Sequence, residues 1–82
     1  MKPKKYNIEF NFNGITIKKR AENIKKAILS ISPEQLYTEM FIQIAPVGSK
    51  DFLGRKLPLF KAKRLFFDED FLDVFIINLN LN

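Results

Sequence analysis

An α+β domain is the fold class that this sequence predicts, and three observations predict it. Tyr6, Ile8, Phe10 and Phe12 alternate with Asn7, Glu9, Asn11 and Asn13. Asn13-Gly14 then leads into Ile15, Thr16, Ile17 and Lys18. After Glu22 the apolar period changes from two to about 3.6. Together these predict a β-hairpin, a crossover helix, a third strand with a doubtful fourth, and a C-terminal helix or pair of helices.

Alternation places one set of side chains on a buried face, because successive strand residues point to opposite sides of the pleat. Asn and Gly tolerate the positive φ that a type I′ turn needs at both central positions, so the strands should close into a tight hairpin. That turn sets the register. Phe12 faces Ile15, Phe10 faces Ile17 and Ile8 faces Lys19; on the outer side Asn11 meets Thr16, Glu9 meets Lys18 and Asn7 meets Arg20. Lys19 thus lands on the apolar face, where its stem is expected to lie along the core margin while the ammonium reaches water.

Ile24, Ala27, Ile28 and Ile31 share one helical face, with Leu29 at its margin and Glu22 and Lys26 placed as an i,i+4 pair. Pro33 ends this helix, since the residue before a proline avoids the α region. Ser32-Pro33-Glu34-Gln35 has the form of a capping box and could start a second helix. Against that, Tyr37, Thr38, Phe41, Ile42 and Ile44 are β-formers, and Thr38, Met40, Ile42 and Ile44 alternate. A capped turn followed by a strand is the favoured reading of residues 33–45, with helix as the alternative.

Residues 46–51, with Gly48, form a loop, and residues 52–57 a short edge strand weakened by Gly54. Leu59, Ala62, Leu65 and Phe66 recur at helical spacing. Asp68 is a good N-cap, and Glu69 and Asp70 follow where the helix dipole favours acids. Phe71, Leu72, Phe75, Ile76 and Leu79 make the apolar face behind that cap. The alternation of Ile77, Asn78, Leu79, Asn80, Leu81 and Asn82 supports a rival terminal strand.

Over residues 6–45 the order hairpin, helix, strand resembles that of β-grasp, ubiquitin-like domains. The likeness is in element order alone; there is no diglycine tail and no shared motif, so it implies nothing about function.

The 82 residues make one small domain, 1–82, with 1–5 expected to be a mobile basic arm. A hydrophobic content of 46% suffices for a core and is too high for a disordered chain. The longest purely apolar run, residues 74–77, is far short of the roughly 20 residues that cross a bilayer. Polar residues follow Met1-Lys2-Pro3-Lys4-Lys5 where a signal peptide needs an apolar run. The expectation is an intracellular, cytoplasmic protein. Its richness in Lys, Asn, Ile and Phe suits a phage or mobile element.

The chemistry is bounded by what the sequence lacks. It has no His and no Cys, so the commonest acid–base group, the ordinary zinc ligands and the usual activated nucleophiles are missing. Asp68, Glu69, Asp70 and Asp73 could be read as a magnesium site, but capping and dipole complementarity explain most of them. No enzyme, no cofactor and no metal is expected.

All fourteen Lys and Arg fall in residues 1–64 with five acids, and four acids without a base follow. Lys18, Arg20, Lys25 and Lys26, running from the hairpin into a helix start, are candidates for contacting phosphate or nucleic-acid backbone, with Lys2, Lys4 and Lys5 able to add charge. Tyr37, Phe41, Val74, Ile77 and Leu81 exceed what the expected core buries and are candidates for a protein interface. Phe52, Leu57 or Leu59 covering them within one monomer is the alternative. The leading expectation is a non-enzymatic interaction module acting by protein–protein contact or self-association, an accessory or structural protein. A small basic nucleic-acid-binding protein is second. No membrane and no small-molecule substrate is expected.

Overall fold

The computed structural model describes residues 4–31, 34 and 36–79. Strands β1 (Tyr6–Phe12), β2 (Ile15–Ala21), β3 (Met40–Pro46) and β4 (Leu53–Leu57) form one antiparallel sheet in the order β2-β1-β3-β4. Helix α1 (Ile24–Leu29) lies between β2 and β3 in the chain, and α2 (Leu59–Phe67) and α3 (Glu69–Leu79) follow β4.

The hairpin has the register its turn dictates. Asn13 and Gly14 take φ of 51° and 74°, a region that Asn and Gly enter most readily. Ile8 stands opposite Lys19 and Phe10 opposite Ile17. On the outer side Thr16 Oγ1 donates to Asn11 Oδ1 at 2.6 Å, and Arg20 Nε donates to Asn7 Oδ1 at 3.2 Å. Lys19 is half-buried while Lys18 and Arg20 are exposed, as its place on the apolar side requires. Glu9 and Lys18 face each other without forming an ion pair.

β3 extends the apolar face, with Ile44 opposite Ile8 and Ile42 opposite Phe10. Both β2 and β3 run antiparallel to β1 and so parallel to each other. Their connection must therefore cross over the sheet, which is what α1 does. β4 is the second edge, pairing Leu57 with Met40 and Leu53 with Ile44. Gly54 has a packing role there: a Cβ at this position would lie 2.9 Å from Phe41 Cζ, so the Phe41 ring lies over the glycine on the outer side.

The helices cover the inner face. Ile24, Ala27 and Ile28 of α1, Ala62 and Leu65 of α2, and Leu72 and Leu79 of α3 are buried against Phe10, Met40, Ile42 and Ile44. α1 sits by β2, α2 by β4, and α3 touches both helices. The result is two layers, with α1–α3–α2 laid across the sheet.

Several boundaries differ from the sequence reading: β3 takes in Pro46, expected in the loop, and β4 begins at Leu53, one residue after Phe52. α1 starts after Asn23, whose Oδ1 accepts from the Lys26 N–H at 3.0 Å; Glu22 precedes that cap and makes no helical pair with Lys26. Ile31 lies past the end of α1 in a turn, its N–H bonded to Ile28 O at 3.2 Å. At the other end α3 continues to Leu79. Leu72 and Leu79, seven residues apart, share its buried face, so a helical period absorbs the first part of the alternating run. Ser32, Pro33 and Gln35 of the capping box, and Leu81, lie outside the described residues.

Candidate functional site

Capping and charge pairing at the helix ends decide which charged side chains remain available. At the α2–α3 corner Asp68 Oδ1 accepts from the Phe71 N–H at 3.1 Å, and Oδ2 accepts from Arg64 Nε at 3.0 Å. The Phe71 N–H, and then the Arg64 guanidinium, hold the Asp68 carboxyl below the usual carboxylate range. That guanidinium also lies over the Phe71 ring, 4.7 Å from its centroid. One turn further, Glu69 and Asp73 grip Lys25 Nζ at 2.7 and 2.8 Å, tying α3 to α1. Hydrogen bonds that Lys25 donates to Asp73 first and to Glu69 second raise its pKa above the ordinary value. Three of the four acids thus have protein partners, and among the described residues no group of three or more carboxylates is placed to hold a metal ion.

These contacts divide the basic candidates. Lys25 turns toward α3, and the Lys26 N–H at the helix start is taken by Asn23. Lys26 and Arg20 line a shallow groove between β2 and α1. Lys18 and Arg20 stand on the outer sheet face, where they border an open depression of about 410 Å³ with Asn7, Glu9 and Phe52. β2 is an edge strand, and cations there also discourage pairing with a further strand.

The apolar candidates separate as well. Val74 (53% exposed) and Ile77 (73%) project from α3 away from the core. Phe41 lies on the opposite, outer sheet face, and Tyr37 is exposed beside the hairpin tip, where its N–H donates to Asn13 Oδ1 at 2.8 Å. The alternative, in which Phe52, Leu57 or Leu59 covers the candidates, is not what is seen at Val74 and Ile77, which stay exposed. Leu57 is buried in the core, Leu59 packs against it, and Phe52 lies over the outer sheet face.

The structure adds two residues to this side of the molecule. Phe60 is 69% exposed and Phe67 84%. Seven residues apart, they project from one side of α2, opposite Ala62 and Leu65 and flanking Lys63 and Arg64. Their departure from the Leu59–Ala62–Leu65–Phe66 line was the signal for them in the sequence. Phe52 had no such signal, since its position depends on the path of the preceding loop.

No family model matches the chain, and no curated protein or solved structure matches it. Among the described residues no helix is long and apolar enough to cross a membrane.

Proposed function

We infer that this protein is a non-enzymatic interaction module that works by protein–protein contact through the outer face of its helical layer. One observation carries the reading: Phe60, Phe67, Val74 and Ile77, all more than half exposed, project from α2 and α3 away from the core. Single exposed apolar residues are ordinary, but several large ones on one helical layer are the mark of an interface. Folding does not explain them, because each lies opposite the buried side of its own helix.

The charge pattern fits a second copy of the chain as partner. α2 presents Lys63 beside Phe60 and Phe67, whereas α3 presents Asp70 beside Val74 and Ile77. A two-fold arrangement setting α2 of one copy on α3 of the other matches base with acid and apolar with apolar. The broad faces measure about 39 by 27 Å, enough for the roughly 800 Å² per partner that a standard interface buries.

Light scattering across a concentration series tests this. The wild type should associate, and Phe67→Asp should shift it to monomer without unfolding it. Lys63→Glu should weaken association, and Lys63→Glu with Asp70→Lys should recover it. A wild type that stays monomeric at millimolar concentration, with unchanged α2 and α3 amide resonances, overturns self-association.

A further inference from the structure

The opposite broad face carries a different chemistry, and we propose that its depression binds one nucleotide unit of a single-stranded nucleic acid. Among the described residues no helix covers this side: Asn7, Glu9, Asn11, Phe41 and Gln43 are all partly exposed, and Lys18 and Arg20 more so. Phe52, just ahead of β4, forms one wall and is 48% exposed. Lys18 and Arg20 of β2 form the opposite rim, with Asn7 and Glu9 of β1 between.

Each part matches one part of a nucleotide. An exposed ring offers a π-face on which an unpaired base stacks, whatever its identity. Lys18 has no ion-pair partner among the described residues, and Arg20 is held only through Nε, by Asn7 at 3.2 Å. Arg20 and Lys18, two residues apart on the same exposed strand face and bordering one depression, can both turn to a phosphate there. Glu9 is half-buried and, among the described residues, makes no hydrogen bond or ion pair. A carboxylate repels phosphate but accepts from the amino group of a base such as cytosine. Glu9 in the floor thus argues against an acidic peptide, which it would repel while leaving the Phe52 ring unused. It argues equally against a duplex held by its backbone alone, whose bases are closed to the ring.

Fluorescence anisotropy with labelled 12-mers of dC and dT, their RNA counterparts and a duplex, at rising salt, tests the proposal on the full chain. Single strands should bind in preference to duplex. Phe52→Leu, which keeps apolar bulk and loses the π-face, should weaken binding roughly 5- to 150-fold, the range seen when stacking is removed. Lys18→Gln and Arg20→Gln should each lower the slope of log affinity against log salt by about 0.7, one phosphate contact of a single strand. Glu9→Gln should reduce the preference for dC over dT. Circular dichroism confirms that each variant is folded, and Phe52→Tyr, which keeps the ring, should bind as wild type. No single-strand binding by folded wild type at 20 mM salt, approximately the regime where counterion release is most favourable, overturns the proposal. Duplex binding that Phe52→Leu leaves unchanged overturns it too. Phe60 and Phe67 lie on the other side, so failure here leaves self-association untouched.

Discussion

Asn13 sits where three constraints meet, and replacing it separates them. Its φ of 51° belongs to the left-handed region. Its Oδ1 accepts from the Tyr37 N–H at 2.8 Å and the Thr38 N–H at 3.3 Å, pinning the chain that enters β3 to the hairpin tip. Its own N–H donates to Thr38 Oγ1 at 2.7 Å, a bond that any residue at this position keeps. Asn13→Ala keeps a Cβ in the left-handed region but loses the short polar side chain that makes this region tolerable for Asn, at roughly 1 kcal/mol. It also removes the acceptor for two N–H groups, at roughly 0.5–1 kcal/mol each because water can replace it. The expected loss is about 2–3 kcal/mol. Asn13→Gly removes only the acceptor and should cost about 1–2 kcal/mol, while Asn13→Asp keeps it and should stay within about 0.5. Urea unfolding followed by circular dichroism reads these out. With a slope of about 1 kcal/mol per M for so small a chain, Ala lowers the midpoint by about 2–3 M. Equal midpoints for Ala and Gly would refute the backbone part of the reasoning. A Gly variant as stable as wild type would refute the clamp.

Neighbouring phenylalanines in α2 should behave oppositely. Phe66→Ala, which strips a residue packed on the core, should cost about 1–3 kcal/mol in urea unfolding, while Phe67→Ala should stay within about 0.5. Asp68→Asn keeps a capping side chain and loses the charge. Because the Asp68 pKa is depressed in the fold, its charge stabilises above the ordinary carboxylate value and stops doing so as pH falls through the folded value. Wild type should exceed the variant at pH 7, and the gap should close below about pH 4. Lys25 has the reverse sign: its raised pKa means that its contribution is complete below the ordinary lysine value and lost as pH rises through the folded one. The stability gap between wild type and Lys25→Met should therefore shrink above about pH 10.5, with hydrogen exchange in α1 as a second readout.

The hairpin was legible to the residue, including Lys19 at the core margin, because a two-residue turn leaves no freedom in register. The third strand, the weak edge strand at Gly54 and the Asp68 cap were legible for similar local reasons. What escaped was set by contacts far apart in the chain. Nothing near Lys25 in sequence announces that Glu69 and Asp73 will neutralise it, 44 and 48 residues later. Nor does local pattern announce that Asn13 will hold Tyr37 and Thr38 as well as turn the hairpin. Tyr37 and Phe41 stand out by strand alternation and Val74 and Ile77 by lying off the apolar face of a helix, and the two-layer packing puts Phe41 and the Val74–Ile77 pair on opposite sides.

Those long-range pairs also change what the uneven charge means. Glu69 and Asp73 of α3 neutralise Lys25, Asp68 at the α2–α3 corner neutralises Arg64, and Glu39 lies 3.3 Å from Lys56. Among the described residues Lys18, Lys19 and Arg20 of β2, with Lys26 beside them, form one contiguous group of bases outside any ion pair. The helical face, with Lys63 against Asp70, stays mixed and is dominated by apolar surface. The two faces must then answer salt differently. Exposed charge is screened within about 8 Å at physiological ionic strength, so binding at the β2 edge weakens steadily as salt rises. Burial of Phe60, Phe67, Val74 and Ile77 is driven by release of apolar surface from water, which screening does not touch. Association that vanished with salt in step with nucleic-acid binding would place both events on the basic edge and leave the exposed side chains of α2 and α3 without a role.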